Sequence, residues 1–224
     1  MFRLLLVLLF ILSPLVQADH VIVTGGPTLR KWENYRTPRD RHDRWWANFI
    51  RASTLRMVEI RTAYGSNAPL VWIVHRDGYR TRGREDGKPY TTWITDLARK
   101  RNATLIWVDS TGELIRALNR RPRGSIASFD YFGHSNKYCF MLDYSNDIMG
   151  ASTVWLHQND LNKIKSSIFA KSAYCKSWGC HTGESMSQIW KSKLGTSLEG
   201  ARGPTDYTVV GQGILPVVKG SWVR

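Results

Sequence analysis

The chain has 224 residues, of which 32 are Lys or Arg and 18 are Asp or Glu, and its formal net charge is +14. This length favours one domain, or at most two small ones. The charge is compatible with an anionic surface or polymer as a partner, such as phospholipid head groups or cell-wall polymers, but a solvated basic surface is the favoured interpretation. The basic residues are spread along the chain without a zinc finger, an RNA-recognition signature or a basic coiled coil, so no specific nucleic-acid partner is expected.

The first eighteen residues have the pattern of a secretory signal peptide. Arg3 supplies a short basic region, Leu4–Leu12 is apolar, and Val16-Gln17-Ala18 resembles the residues before a cleavage site. The apolar run is too short to span a bilayer comfortably, and no later segment reaches about 18 consecutive apolar residues. We therefore expect an exported protein, periplasmic or secreted, whose residues 19–224 form one domain without a transmembrane segment. An uncleaved membrane anchor is the alternative.

Strand and helix patterns alternate along the rest of the chain, and this alternation predicts an α/β fold with a mainly parallel sheet between helices. Arg76–Lys88, with three glycines, is expected to be a polar loop, and Asn136–Leu156 a hairpin or extended loop. Predicted strands are His20–Thr24, Leu70–Val74, Thr104–Val108, Ile126–Phe132, Ala170–Trp178, Thr208–Val210 and Ile214–Val218. Predicted helices are Asp43–Tyr64, Thr91–Lys100, Glu113–Arg120, Leu161–Phe169 and Glu184–Leu194.

Two chemically active side chains follow neighbouring strands of this pattern. His134 comes after Gly133 at the end of one strand, where it can act as a general base near neutral pH. Cys180 follows the next strand and precedes a predicted helix, whose positive end favours a thiolate. His181 and Lys176 add positive charge nearby in the sequence. Because parallel strands end at one edge of a sheet, we expect His134 and Cys180 to lie at that edge.

Other interpretations of these residues stay open at this level. Gly133-His134-Ser135 begins like the elbow of α/β-hydrolases, which would make Ser135 the nucleophile, but Lys137 stands where the second glycine belongs. A lone histidine is most often a surface or satisfied core residue, and a small buried side chain is an equally good account of Cys180. The spacing of Cys175, Cys180 and His181 does not fit zinc, so no metal is expected.

The number of cysteines bears on whether the Cys180 thiol is free. The chain has Cys139, Cys175 and Cys180, and an odd number in an oxidising compartment leaves at least one unpaired. A strand would hold Cys175 and Cys180 too far apart to bridge. The workable disulfide is therefore Cys139–Cys175, which leaves Cys180 free.

The segments SIASFDYFGHS and AYCKSWGCHTGESM, in this order, resemble the caspase-like cysteine peptidases (clan CD), nearest to bacterial CHAT-type, legumain and gingipain-like domains. The resemblance implies a caspase-like three-layer α/β/α sandwich in which Cys180 is the nucleophile and His134 the base and proton donor. It implies that the amides of Gly133 and Cys180 hold the oxyanion. It also implies a protein or peptide substrate and no metal or organic cofactor.

The resemblance extends to the segment after the cysteine helix, from which pocket residues of these peptidases often come. Arg202 fits recognition of an acidic substrate side chain, whereas Glu199 and Asp206 fit a basic or amide side chain. Solvated loop charges are the other interpretation of all three residues. The function expected from the sequence is thus an exported cysteine peptidase. The alternative is a catalytically inactive caspase-like domain whose basic surface binds an anionic partner.

Overall fold

A computed structural model of the protein describes residues 18–38, 41, 44–145 and 152–224. The predicted signal peptide, except Ala18, lies outside the described residues, as do Asp43 of the first predicted helix and positions 146–151 of the predicted hairpin region. Within the described ranges, no helix has both the length and the apolar character needed to cross a membrane.

The described chain contains short and medium-length strands that alternate with helices. The strands are β1 (Asp19–Thr24), β2 (Leu70–His75), β3 (Ala103–Val108), β4 (Ile126–Phe132), β5 (His134–Ser135), β6 (Cys139–Asp143), β7 (Val154–His157), β8 (Phe169–Ser177), β9 (Leu198–Arg202), β10 (Thr205–Asp206), β11 (Val217–Val218) and β12 (Ser221–Val223). The α-helices are α1 (Arg30–Tyr35), α2 (Asn48–Tyr64), α3 (Arg76–Asp86), α4 (Tyr90–Lys100), α5 (Thr111–Asn119) and α6 (Met186–Leu194). Four 3-10 helices cover Gln158–Lys163, Ser166–Ile168, Thr182–Glu184 and Thr208–Gln212.

The central sheet has seven strands in the order β12-β9-β8-β4-β1-β2-β3. Its six longer strands run parallel, and only the edge strand β12 is antiparallel to its neighbour β9. From β1, the strands β2 and β3 follow toward one edge of the sheet. The next strand, β4, pairs with the opposite side of β1. In such sheets the crevice where the direction reverses, at the carboxyl ends of the strands, is the usual place for a functional site.

Apolar residues cover both faces of this sheet, because alternate side chains of a strand point to opposite sides. On β1, Val21 and Val23 pack into one buried cluster and Ile22 into the other. The first cluster includes Leu114 of α5 and Trp190 of α6, and the second includes residues of α2, α3 and α4. The protein is therefore a three-layer α/β/α sandwich with a mainly parallel central sheet, as the sequence pattern predicts.

The predicted polar loop at Arg76–Lys88 is wrong, because α3 occupies most of it. Two of its glycines allow close packing inside a helix: a Cβ on Gly78 would lie 2.8 Å from Gly26 Cα, and one on Gly83 would lie 2.6 Å from Lys88 O. Gly87 ends the helix in the left-handed conformation, at φ +63°. Two of the glycines that suggested a loop thus allow close packing, and the third ends the helix.

Two further predicted elements are wrong and one is shortened. Leu161–Phe169 is not an α-helix but two 3-10 turns, which still bury Leu161 and Ile168 against the sheet. Thr208–Val210 is a 3-10 helix rather than a strand, since the Asp206 carboxylate accepts hydrogen bonds from the Thr208 N–H and hydroxyl and turns the chain there. The strand predicted at Ile214–Val218 shrinks to β11.

A second, antiparallel sheet of β5, β6 and β7 starts directly after β4. The hairpin predicted within Asn136–Leu156 is confirmed for the described residues by the pairing of β6 with β7. His134 opens this small sheet, opposite Met141. The histidine backbone is therefore held by strand pairing and not by a free loop.

Candidate functional site

His134 and Cys180 line the same small cavity at the carboxyl ends of β4 and β8. The two strands are parallel neighbours, with Tyr131 opposite Ser177, so the segments that follow them start side by side. The cavity has a volume of about 50 Å³. Its lining consists of Phe49, Gly133, His134, Ser135, Cys180, Thr205 and Tyr207. The structure thus brings together the two residues that the sequence proposes as a pair.

Hydrogen bonds tie the two segments to each other. The Trp178 N–H donates to Tyr131 O at 2.8 Å, and the Ser135 hydroxyl donates to Cys180 O at 2.7 Å. Gly179 makes this approach possible, since a Cβ there would lie 2.2 Å from Ser135 Oγ. Ser135 therefore fixes the backbone of the cysteine, and nothing in its contacts supports the serine-nucleophile alternative.

The His134 ring is held on several sides. Its Nε2 lies 3.1 Å from Thr28 Oγ1, an atom supplied by the segment after β1. The ring packs edge-on against Phe49 at 5.1 Å and stacks on Tyr144 at 4.5 Å. The Tyr131 hydroxyl donates to the His134 carbonyl at 2.6 Å. Both the backbone and the ring are thus positioned before any ligand arrives, and the sequence analysis missed Thr28 and Tyr144.

Thr205 provides the immediate environment of the Cys180 sulfur. The Thr205 N–H donates to Sγ at 3.3 Å, and Thr205 Oγ1 lies at the same distance from Sγ. These two contacts hold the Cys180 sulfur in place. Thr205 belongs to β10, far along the chain from Cys180, and no motif in the sequence marked it.

The helix predicted to begin just after Cys180 starts later. A 3-10 turn at Thr182–Glu184 comes first, and α6 begins only at Met186. The helix predicted from Glu184 is thus shortened by two residues at its start.

The two side chains expected to place positive charge near Cys180, Lys176 and His181, contact acidic residues instead. Lys176 pairs with Glu199 at 2.7 Å, and its ammonium lies over the rings of Trp178 and Trp222 at 4.1 and 3.9 Å. His181 Nδ1 lies 2.6 Å from Glu184 Oε1.

The backbone of His181 adopts the left-handed conformation, at φ +62°, which is uncommon for a residue other than glycine. Its N–H donates to Gly203 O at 2.9 Å, and Glu184 accepts a hydrogen bond from the Gly203 N–H at 3.1 Å. These contacts fasten the segment that carries Cys180 to the turn between β9 and β10.

The oxyanion residues implied by the resemblance also line the cavity. Gly133 and Cys180 both contribute to its wall. Across the turns and loops that the structure describes, neither of their amides has a carbonyl acceptor. An N–H without an internal acceptor is one property that an oxyanion site requires.

All three cysteines are free thiols, so the predicted Cys139–Cys175 disulfide is wrong. The Cys175 thiol lies inside the sheet, 3.9 Å from Thr196 Oγ1, while the Cys139 thiol donates to Asn136 Oδ1 at 3.4 Å. Burial raises the pKa of the Cys139 thiol, and it raises the pKa of Cys175 to about 12. Cys139 and Cys175 are buried, whereas Cys180 is partly exposed.

None of the three residues predicted to bind substrate lines this cavity. Glu199 is occupied by Lys176 and by the Tyr174 hydroxyl at 2.9 Å. Arg202 lines a separate cavity of about 170 Å³. Asp206 lies between the lining residues Thr205 and Tyr207, but its carboxylate accepts from Thr208 and pairs with Lys219 at 3.3 Å. In the described ranges, no group of three or more His, Cys, Asp or Glu residues could hold a metal ion.

No family model matches this chain, and no match was found among the curated proteins or the solved structures. The resemblance to caspase-like peptidases therefore rests on the two quoted segments alone.

Proposed function

We propose that the protein is an exported cysteine hydrolase of the caspase-like kind, acting on peptide bonds. The observation that carries the proposal is the shared cavity of Cys180 and His134 at the ends of two adjacent parallel strands. The burial of Cys139 and Cys175 supports it, since these thiols are withdrawn from substrate. Export follows the signal-peptide pattern of the first eighteen residues.

In the proposed reaction, His134 accepts the proton of Cys180 and the sulfur attacks the carbonyl carbon of the peptide bond. The carbonyl π electrons move to oxygen, where the amides of Gly133 and Cys180 stabilise the negative charge. Collapse of this intermediate breaks the C–N bond, and the leaving amine takes the proton from His134. Water then attacks the thioester, giving up a proton to His134, and the acid product leaves as the thiol is restored.

The alternative function is that of an inactive domain with a basic surface for an anionic partner. The size of the cavity favours it: about 50 Å³ is far below the roughly 300–1,000 Å³ of typical ligand pockets. Phe49 and Tyr207, in edge contact at 4.9 Å, form part of its wall. A ligand of typical size therefore requires this cavity to widen.

Hydrolysis of a mixed library of fluorogenic peptides distinguishes the two functions. We expect Cys180→Ala to abolish hydrolysis, because no other described thiol reaches the cavity. The matched control is Cys139→Ser, which changes a thiol outside the lining and should retain activity. Activity that survives in Cys180→Ala would exclude the proposed nucleophile, and a wild-type protein that cleaves no peptide would favour the binding domain.

A further inference from the structure

A second cavity, larger than that around Cys180, lies between α2 and α4. Its volume is about 360 Å³, within the range of small-molecule sites. We call it the tryptophan groove. It is lined by Trp45, Trp46, Ala47, Ile50, Arg51, Thr54, Trp93, Ile94, Asp96, Leu97, Lys100 and Arg101. The lining residues of α2 and α4 recur at three- and four-residue intervals, so each helix presents one continuous face to the groove.

One end of the groove is lined by closely packed aromatic side chains. Trp46 stacks on Tyr90 with ring centroids 3.9 Å apart and lies 5.9 Å from Trp93. Trp45 and Trp93 keep 43% and 44% of their surface exposed. Two half-exposed tryptophans beside a cavity are unusual for a residue that proteins mostly bury, and they mark a surface that gains stability when covered.

The other end of the groove is basic. The two helices run in the same direction, because Trp46 meets Trp93 at one end and Arg61 donates to Asn102 O at the other. Lys100 therefore lies about two helical turns from Trp93, along the groove.

Three basic residues and one acidic residue line the groove, and the acidic one, Asp96, is paired with Arg99 at 2.8 Å. Arg101 Nε is enclosed and has no hydrogen-bond partner among the described residues. An anionic group would thus find an uncompensated positive site at this end.

The chemistry of the lining narrows the class of ligand. Thr54 supplies its single uncharged side-chain oxygen, and this hydroxyl already donates to Arg51 O at 2.9 Å. A sugar or nucleobase would therefore find few side-chain acceptors for its own O–H and N–H groups, since the Asp96 carboxylate is already paired with Arg99. An apolar chain has no hydrogen bonds to lose on entering the groove. A carboxylate at the end of that chain would contact the basic side chains.

We propose that the tryptophan groove binds a single-chain amphiphile with a carboxylate head, its chain against Trp45 and Trp93 and its head at Lys100 and Arg101. The site is separate from the Cys180 cavity and does not depend on the proposed hydrolase activity. It gives the exposed aromatic residues and the basic helix end one common role.

Calorimetric titration of the full-length protein with decanoate, and with decanol as the uncharged probe, tests this proposal. We expect decanoate to bind with a stoichiometry of one and decanol to bind more weakly. Trp93→Ala should weaken decanoate binding about tenfold through lost apolar contact. Lys100→Gln should weaken it about threefold at low salt, with the difference shrinking as salt is raised. Lys193→Gln, the same change at an exposed lysine of α6 outside the lining, is the matched control and should change nothing.

The proposal is overturned if decanoate does not bind, if decanol binds as tightly, or if Lys193→Gln weakens binding as much as Lys100→Gln. It is also overturned if binding survives unchanged in Trp93→Ala. Circular dichroism establishes that each variant is folded. If Trp93→Ala is not, Trp45→Ala replaces it with the same expected loss, because Trp45 is equally exposed at the same end.

Discussion

The two side chains of the candidate dyad depend on two threonines that no local pattern indicates. Thr28 Oγ1 lies 3.1 Å from the His134 ring, and Thr205 contacts the Cys180 sulfur through both its amide and its hydroxyl. They come from the segment after β1 and from β10, which are distant from both site motifs in the sequence. A single sequence identifies His134 and Cys180 because strand ends and glycines mark them, but it carries no comparable mark for their supports.

Thr205→Val tests the role of the threonine hydroxyl. Valine keeps the shape and the amide N–H but removes the Oγ1 that lies 3.3 Å from Sγ. We expect the rate of Cys180 alkylation at neutral pH to fall about threefold to tenfold, since hydrogen bonds to charged groups contribute more than neutral ones. The rate is measured with iodoacetamide under pseudo-first-order conditions. Thr208→Val, whose hydroxyl bonds only Asp206, is the control, and an equal effect there would refute the assignment.

A buried histidine outside the site predicts acid sensitivity of the fold. His75 is 1% exposed at the end of β2, and its Nδ1 accepts a hydrogen bond from the Gly78 N–H at 3.2 Å. Burial lowers the pKa of His75, although Asp143 and Asp109 act in the opposite direction. A depressed pKa means that the unfolded chain binds the proton more readily. Stability is therefore full above about pH 6.5 and falls as the pH drops below it.

Urea unfolding at pH 7.5 and pH 5 measures this loss. We expect His75→Asn, which keeps a side-chain acceptor but cannot titrate, to lose less free energy of unfolding between the two pH values than the wild-type protein. His20 also has a lowered pKa, mainly through burial, so the variant should retain part of the pH dependence. An equally steep loss in both proteins would contradict the role of His75.

At the scale of elements, five of the seven strands of the sheet were predictable, whereas β9, β12 and several connections were not. β2 contains the continuous apolar run Leu70–Val74, which is typical of the buried interior of a parallel sheet and can be recognised in one sequence. β4 is less regular, since it includes the buried polar residues Ser128 and Asp130. Helix α3 was missed because its glycines serve tertiary contacts. The 3-10 turns before β8 were mistaken for a helix because their buried apolar residues recur at the same three- to four-residue interval.

Gly78→Ala tests whether Gly78 is required for the close packing of α3 or only marks a polar loop. In an unconstrained helix, alanine would add about 1 kcal/mol of stability over glycine. Here a Cβ would lie 2.8 Å from Gly26 Cα, a backbone atom that cannot move aside cheaply. We therefore expect a loss of about 1–3 kcal/mol in the free energy of unfolding, measured by urea titration.

Gly112→Ala is the matched control on α5. Its nearest atom is the end of the flexible Arg116 side chain, at 3.3 Å, so this change should be neutral or stabilising. A stabilised Gly78→Ala variant would mean that α3 does not pack closely on the turn after β1.

At the scale of the whole molecule, strand order explains why the site lies where it does. The direction in which successive strands are added to the sheet reverses between β1 and β4. The segments after β1, β4 and β8 meet at the crevice formed there. The alternation of elements predicted the three layers, because each apolar strand needs cover on both faces. It could not predict that β5 pairs with the β6–β7 hairpin and so holds His134, nor could it predict the β9–β12 edge or the tryptophan groove.

The most direct test of the central claim is a time course of iodoacetamide labelling at pH 7, with each cysteine followed by peptide mass mapping. In the folded protein we expect Cys180 to be modified first, while Cys139 and Cys175 stay protected by burial and by their raised pKa values. In His134→Gln, confirmed as folded, labelling of Cys180 should slow about tenfold or more, because the general base is lost. Equal labelling of all three cysteines, or an unchanged rate at Cys180 in the variant, would contradict a Cys180–His134 dyad.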